Sequence, residues 1–131
     1  MSRQLISSGG PWESQVGYSR AVRVGNTVTV AGTVAVGSDG NVIAPGDVYQ
    51  QTKAIFATIG AALDEAGASL SEVVRTRSFI TDLDLWEGFG RAHGEVFSGV
   101  RPAATLVEVS GLLGDGTVIE IEVDAIIDTD G

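Results

Sequence analysis

Apolar residues recur with a period of two in several stretches of the chain and with a period near 3.6 in two others, so the pattern marks out strands and helices directly. Ala21–Val24 and Thr27–Ala31 alternate on either side of Gly25-Asn26, and two residues of that type between alternating runs predict a β-hairpin. Ser38-Asp39-Gly40-Asn41 and Pro45-Gly46-Asp47 read as turns. Asp47 is placed to cap a helix in which Val48, Thr52, Ile55, Ile59, Ala62 or Leu63, and Ala66 share a face and which Gly67 stops. A strand follows over Val73–Ile80. Asp82 or Asp84 then caps a second helix, with Trp86, Phe89, His93 and Phe97 on one side. Pro102 precedes a strand around Thr105–Val109. A glycine-rich loop at Gly111–Gly116 leads to the last strand, Val118–Ile127, where Ile119, Ile121 and Val123 alternate with Glu120, Glu122 and Asp124.

The order β-β-α-β-α-β-β predicts one α+β domain over residues 1–131, with the two helices covering one face of the sheet. The stretch before Gly17 is rich in Ser, Gly and Pro and reads as an arm or loop.

Composition narrows the chemistry. Cysteine is absent, which removes disulfides, thiolate metal sites and thiol nucleophiles together. No apolar run reaches the roughly 20 residues of a membrane span, so a soluble cytoplasmic protein without membrane partners is expected. Seventeen acidic against eight basic residues give a net charge of −9. With no Lys/Arg cluster to counter that charge, nucleic-acid binding is disfavoured. All the basic residues but Lys53 are arginine. The planar guanidinium pairs with carboxylates through two hydrogen bonds, although a bias in base composition produces the same excess.

Several residues carry candidate chemistry. Glu120, Glu122 and Asp124 share one strand face. They form either a solvated stripe or, if one is held in a cleft, an acid–base group whose pKa burial has raised. Arg75 and Arg77 share a strand face with Phe79 and suit a salt bridge as well as an anion. His93, the only histidine, falls on an apolar helix stripe, where a hydrogen-bonded core role is the simpler one. A single His without Cys makes no recognisable zinc site, and no phosphate-binding or dinucleotide glycine motif is present.

The chain resembles the RidA/YjgF family of reactive-imine deaminases over nearly its whole length. The resemblance rests on Gly25-Asn26 before a strand ending Ala31-Gly32, on Gly60 to Gly67 closing the first helix, and on Val73 to Asp82. It rests further on Arg101-Pro102-Ala103 leading into Val107-Glu108-Val109, and on Ile119-Glu120-Ile121-Glu122. It implies a chorismate-mutase-like α+β fold and a homotrimer with small clefts between subunits. It also implies hydrolysis of enamines or imines to a 2-keto acid and ammonia, with no metal or cofactor. Position by position, Glu120 falls on the acid that directs water and Tyr18 on an aromatic lining the cleft. Ala31 stands where active members often carry Ser, Gly90 where they carry Asn, and Ala104 where an Arg clamps the substrate carboxylate. Arg77, Arg101 and His93 are the groups left to reshape the pocket around a different imine or amide. The alternative is a non-catalytic trimer that binds a small metabolite. RNA cleavage, an activity also attached to the family, sits poorly with the charge.

Overall fold

The Gly25-Asn26 turn closes its hairpin where the alternation requires. In this computed structural model, which describes residues 2–129, β2 (Ala21–Val24) and β3 (Thr27–Thr33) pair antiparallel, with Val24 opposite Thr27. Asp47 caps α2 (Val48–Glu65), its carboxylate accepting from the Gln50 N–H at 3.0 Å. Gly67, at φ 84°, takes the left-handed conformation that ends the helix. β4 (Val73–Ile80) follows, and α3 (Trp86–Phe97) crosses over to β5 (Ala103–Glu108). β6 (Ile119–Ile126) closes the chain.

Two elements lie where the sequence suggests only an arm. Arg3–Ile6 forms β1, and Pro11–Val16 forms the short helix α1. Neither had a readable signal. β1 has four residues and buries only Ile6, so it carries no alternation. α1 is six residues long, too short to show a helical period, and its Trp12 and Val16 are exposed. Asp82 caps a 3₁₀ turn, Leu83–Leu85, that precedes α3 rather than α3 itself. Trp86 is 56% exposed and lies outside the core that Phe89 and Phe97 enter. β5 begins at Ala103, two residues before the expected start.

The sheet order is β1-β2-β3-β6-β4-β5, antiparallel except for β4 and β5, which the α3 crossover makes parallel. β6 therefore lies between β3 and β4, paired on both edges. This central position explains its strict alternation. Ile119, Ile121, Val123 and Ala125 are buried against α2, whose Ile55, Phe56, Ile59 and Leu63 are also buried. Each fully buried Ile or Leu contributes about 1.5–3 kcal/mol, so this row fixes the register of β6. The same register sets Glu120, Glu122 and Asp124 on the opposite, open face. Gln51, fully buried in α2, ties the loops on either side of this row together. Its amide donates to the carbonyls of Ile43, Ala44 and Gly116, and its oxygen accepts from the Val118 N–H at 3.0 Å.

Candidate functional site

Glu120 is the carboxylate on the open face with the least ordinary surroundings. It stands opposite Phe79 of β4 and is half-buried. Burial pushes its pKa above the usual glutamate value. Glu122 on the same face pushes it further, while the nearby Arg20 guanidinium offsets part of the rise. A carboxylate so placed is a stronger base than a free one and is surrounded by less water.

A bulge in β3 brings the backbone to it. Val30 pairs with Val123 and Thr33 with Ile121, so three steps on β3 match two on β6. The bulge is pinned by the Thr33 hydroxyl, which donates to the Ala31 carbonyl at 2.9 Å. Gly32 then lies against Glu120 so closely that a Cβ at Gly32 would sit 2.6 Å from Oε2. Any side chain there would displace the carboxylate, which gives a physical reason for glycine at a position whose φ is not positive.

Arg20 reaches the other side of Gly32. Its N–H donates to the Ile6 carbonyl, and its own carbonyl accepts from the Ala31 N–H at 3.0 Å, so its backbone is held between β1 and the bulge. Its Nη2 donates to the Gly32 carbonyl at 2.5 Å. The guanidinium carbon stands 5.9 Å from the centre of the Tyr18 ring, within range of a cation–π contact. Tyr18 is held in turn by α1, its N–H donating to the Glu13 carbonyl at 2.9 Å. The Glu13 carboxylate is buried and accepts from the backbone and hydroxyl of Ser8. These hydrogen bonds, with Arg20 nearby, hold it below the usual carboxylate range despite burial.

The structure thus brings Tyr18, Ala31 and Glu120 together, with Arg20, Gly32 and Glu13 added. Arg20 had one readable signal: it lies two residues after Tyr18, on the same side of an extended segment. Gly32 enters the sequence pattern only as the end of a strand, and nothing local marks its close approach to Glu120 or the role of Glu13, because the bulge and the fold of the N-terminal segment exist only in three dimensions.

The other candidates lie apart from Glu120 within the chain. Arg77 shares the open face but is engaged by Glu122 and Asp124, at 3.5 and 3.3 Å. Ala104 pairs with Thr76 and so faces the helix side, at the sheet edge. Arg101 is exposed, at φ 58°, in the turn before β5. Ala103 is in register with Arg75, whereas Val107 is in register with Phe79 and hence Glu120. Arg101 therefore starts at least four strand residues, about 13 Å, from the carboxylate's row. His93 packs against Phe56, Phe89 and Phe97 and shares a 3.0 Å hydrogen bond with Thr76 Oγ1. Desolvation keeps its pKa below the usual histidine value. Gly90 is on α3 and contributes no polar group.

Among the described residues, no three His, Asp or Glu side chains are grouped as metal ligands, and no helix is long and apolar enough to cross a membrane. Surface recesses at Gln4 and Arg23, and at Ser69 and Val74, do not include Glu120.

Similarity to known proteins follows the fold and the site. The family profile described as Endoribonuclease L-PSP matches residues 11–127. An uncharacterized protein of Streptomyces coelicolor is 40% identical over 120 residues, covering 92% of this chain and 89% of that one. A RutC family protein of Pyrococcus abyssi is 39% identical over 105 residues, covering 80% and 82%. The crystal structure of a YjgF/YER057c/UK114 family member from Mycobacterium tuberculosis superposes with a TM-score of 0.87 at 44% identity, covering 96% of this chain and all of the other. The sheet with α2 and α3 on one face is accordingly the α+β, chorismate-mutase-like fold that the sequence resemblance implied.

Proposed function

This chain belongs to the RidA/YjgF family, matched as Endoribonuclease L-PSP, and from there we propose that it hydrolyses a small reactive imine or enamine, with Glu120 as the general base. The observation that carries this function is the placement of Glu120, half-buried against Gly32 with its basicity raised by desolvation. Glu120 takes a proton from water as the water oxygen bonds to the imine carbon, and the C=N bond becomes C–N. The protonated Glu120 returns the proton to nitrogen. Glu120 then takes the hydroxyl proton of the carbinolamine and passes it to the amino nitrogen as C=O forms and the C–N bond breaks, so ammonia leaves and the carboxylate is restored without a redox partner. Tyr18 and the Ala31–Gly32 backbone form the wall on which the substrate lies. The assembly is a homotrimer, in which the open sheet face and the exposed β5 edge meet neighbouring subunits and complete the cleft. Light scattering measures that mass directly.

The test is decay of imines generated by an amino-acid oxidase and trapped with semicarbazide. Wild-type protein accelerates imine loss, and Glu120→Ala lowers that acceleration about 10²–10⁴-fold, the range for a positioned acid–base group. Equal rates for the two proteins overturn the role of Glu120. One observation favours a second reading, a metabolite-binding trimer without turnover: Ala104 and Ala31 offer no functional side chain. Saturable binding with no imine loss across the panel supports it.

A further inference from the structure

The chain leaves the sheet at Ile6 and returns at Arg20, whose N–H donates to the Ile6 carbonyl at 2.8 Å. Between these two points, residues 7–19 make an excursion that carries α1 and ends on Tyr18. A compact excursion of this size is normally packed by its own side chains. Here the apolar ones take no part. Trp12 and Val16 are exposed, and the only buried residue between Ile6 and Ala21 is Glu13, which is 7% exposed. The order of the excursion therefore rests on polar bonds, and these converge on Glu13. Its Oε2 accepts from the Ser8 N–H at 3.2 Å and from the Ser8 hydroxyl. A Cβ at Gly10 would stand 3.7 Å from the same oxygen, so the turn before α1 closes over the carboxylate. The Glu13 carbonyl accepts from the N–H groups of Gly17 and Tyr18, both at 2.9 Å, so the turn after α1 closes on the same residue.

A carboxylate is a costly way to fill that space, because burying a charge forfeits its hydration and an apolar side chain of similar size forfeits none. What the carboxylate adds is direction. Two donors of one serine must point at one oxygen, which fixes the path of the chain into α1 and hence the point at which Tyr18 emerges from it. We infer that Glu13 is a positioning residue for the site: its carboxylate latches residues 7–19 in the conformation that lays the Tyr18 ring beside Arg20 and Gly32, so that a substrate meets a wall already formed. Glu13 acts through Tyr18 and not on the substrate. The assignment rests on the hydrolase reading of the same site, in which Tyr18 is part of that wall.

The test reads amide hydrogen exchange and imine kinetics together on the full-length protein and its Glu13→Leu, Glu13→Gln and Ser8→Ala variants. Leucine fills the space without an acceptor, whereas glutamine keeps one acceptor oxygen for Ser8. In Glu13→Leu the protection of the Gly17 and Tyr18 amides falls about 10- to 100-fold, the equivalent of one lost charge-assisted hydrogen bond, while the amides of β6 keep theirs. KM for the imine rises about tenfold because only the latched fraction binds well. At the same time kcat stays within about twofold, since Glu120 is untouched. Glu13→Gln recovers most of both effects, and Ser8→Ala adds little to Glu13→Leu because the two act through one contact. Wild-type protection of Tyr18 in Glu13→Leu overturns the latch. So does a loss of protection spread equally over β6, which marks a general loss of stability. Lost protection with an unchanged KM overturns the positioning role and leaves the hydrolase reading intact. If the wild type hydrolyses no imine, the hydrolase reading fails by itself, and the protection of Tyr18 decides for or against the latch.

Discussion

Substituting Gly32 by alanine tests the placement of Glu120 without touching the carboxylate itself. The new Cβ would lie 2.6 Å from Glu120 Oε2 and 3.2 Å from its Cδ, where ordinary contact begins at 3.4 Å. The oxygen must therefore retreat by about 0.8 Å, and the cost is small because it is the free end of a flexible side chain. The backbone resists little, because Gly32 is not among the residues with positive φ. Alanine also reduces the entropy of the unfolded chain, worth about 0.4–1 kcal/mol. The expected change in stability is within about 1 kcal/mol in either direction, measured by urea unfolding. Activity responds differently. A catalytic group misplaced by about 1 Å costs on the order of 10²-fold, so kcat/KM for imine hydrolysis falls about 10- to 100-fold. In a Glu120→Ala background the same substitution changes nothing further beyond about twofold, because its effect passes through the carboxylate. Full activity in a folded Gly32→Ala protein refutes the close approach. An undiminished additional loss in the Glu120→Ala background refutes the claim that Glu120 is what the glycine protects.

Two further predictions concern the scaffold. Gln51→Leu removes an amide that serves three carbonyls and one N–H in the interior, so urea unfolding shows a loss of about 3 kcal/mol or more, and a loss under about 1 kcal/mol refutes the clamp. His93 is held below its ordinary value of 6.5 by burial, so the unfolded chain takes up the proton first. The stability this supplies is complete above pH 6.5 and is lost as pH falls from there through the depressed folded value. Melting temperatures from pH 7.5 to 5 accordingly fall more for wild type than for His93→Gln, and parallel curves refute a neutral, half-buried His93.

The sequence by itself determined the hairpin at Gly25-Asn26, the helix from Asp47 to Gly67, the strand Val73–Ile80 and the alternation of the last strand. In each case the signal is local. Turn residues permit a conformation, caps satisfy free N–H groups, and periodicity reports a buried face. It also singled out Glu120 and Tyr18, through their places in a recognisable pattern. β1 and α1 escaped because four- and six-residue elements with a single buried side chain each carry no measurable period. Trp86 was misplaced because a stripe at helical spacing does not say where the partner surface ends. Only the tertiary structure decided that β6 lies between β3 and β4, which turns Glu120 toward the bulge and Ala104 toward the other face. Only it placed Arg20 and Glu120 on opposite sides of Gly32, twelve residues from one and eighty-eight from the other along the chain. A bulge shifts register by one residue, and that shift depends on pairing between distant strands, which no local pattern encodes.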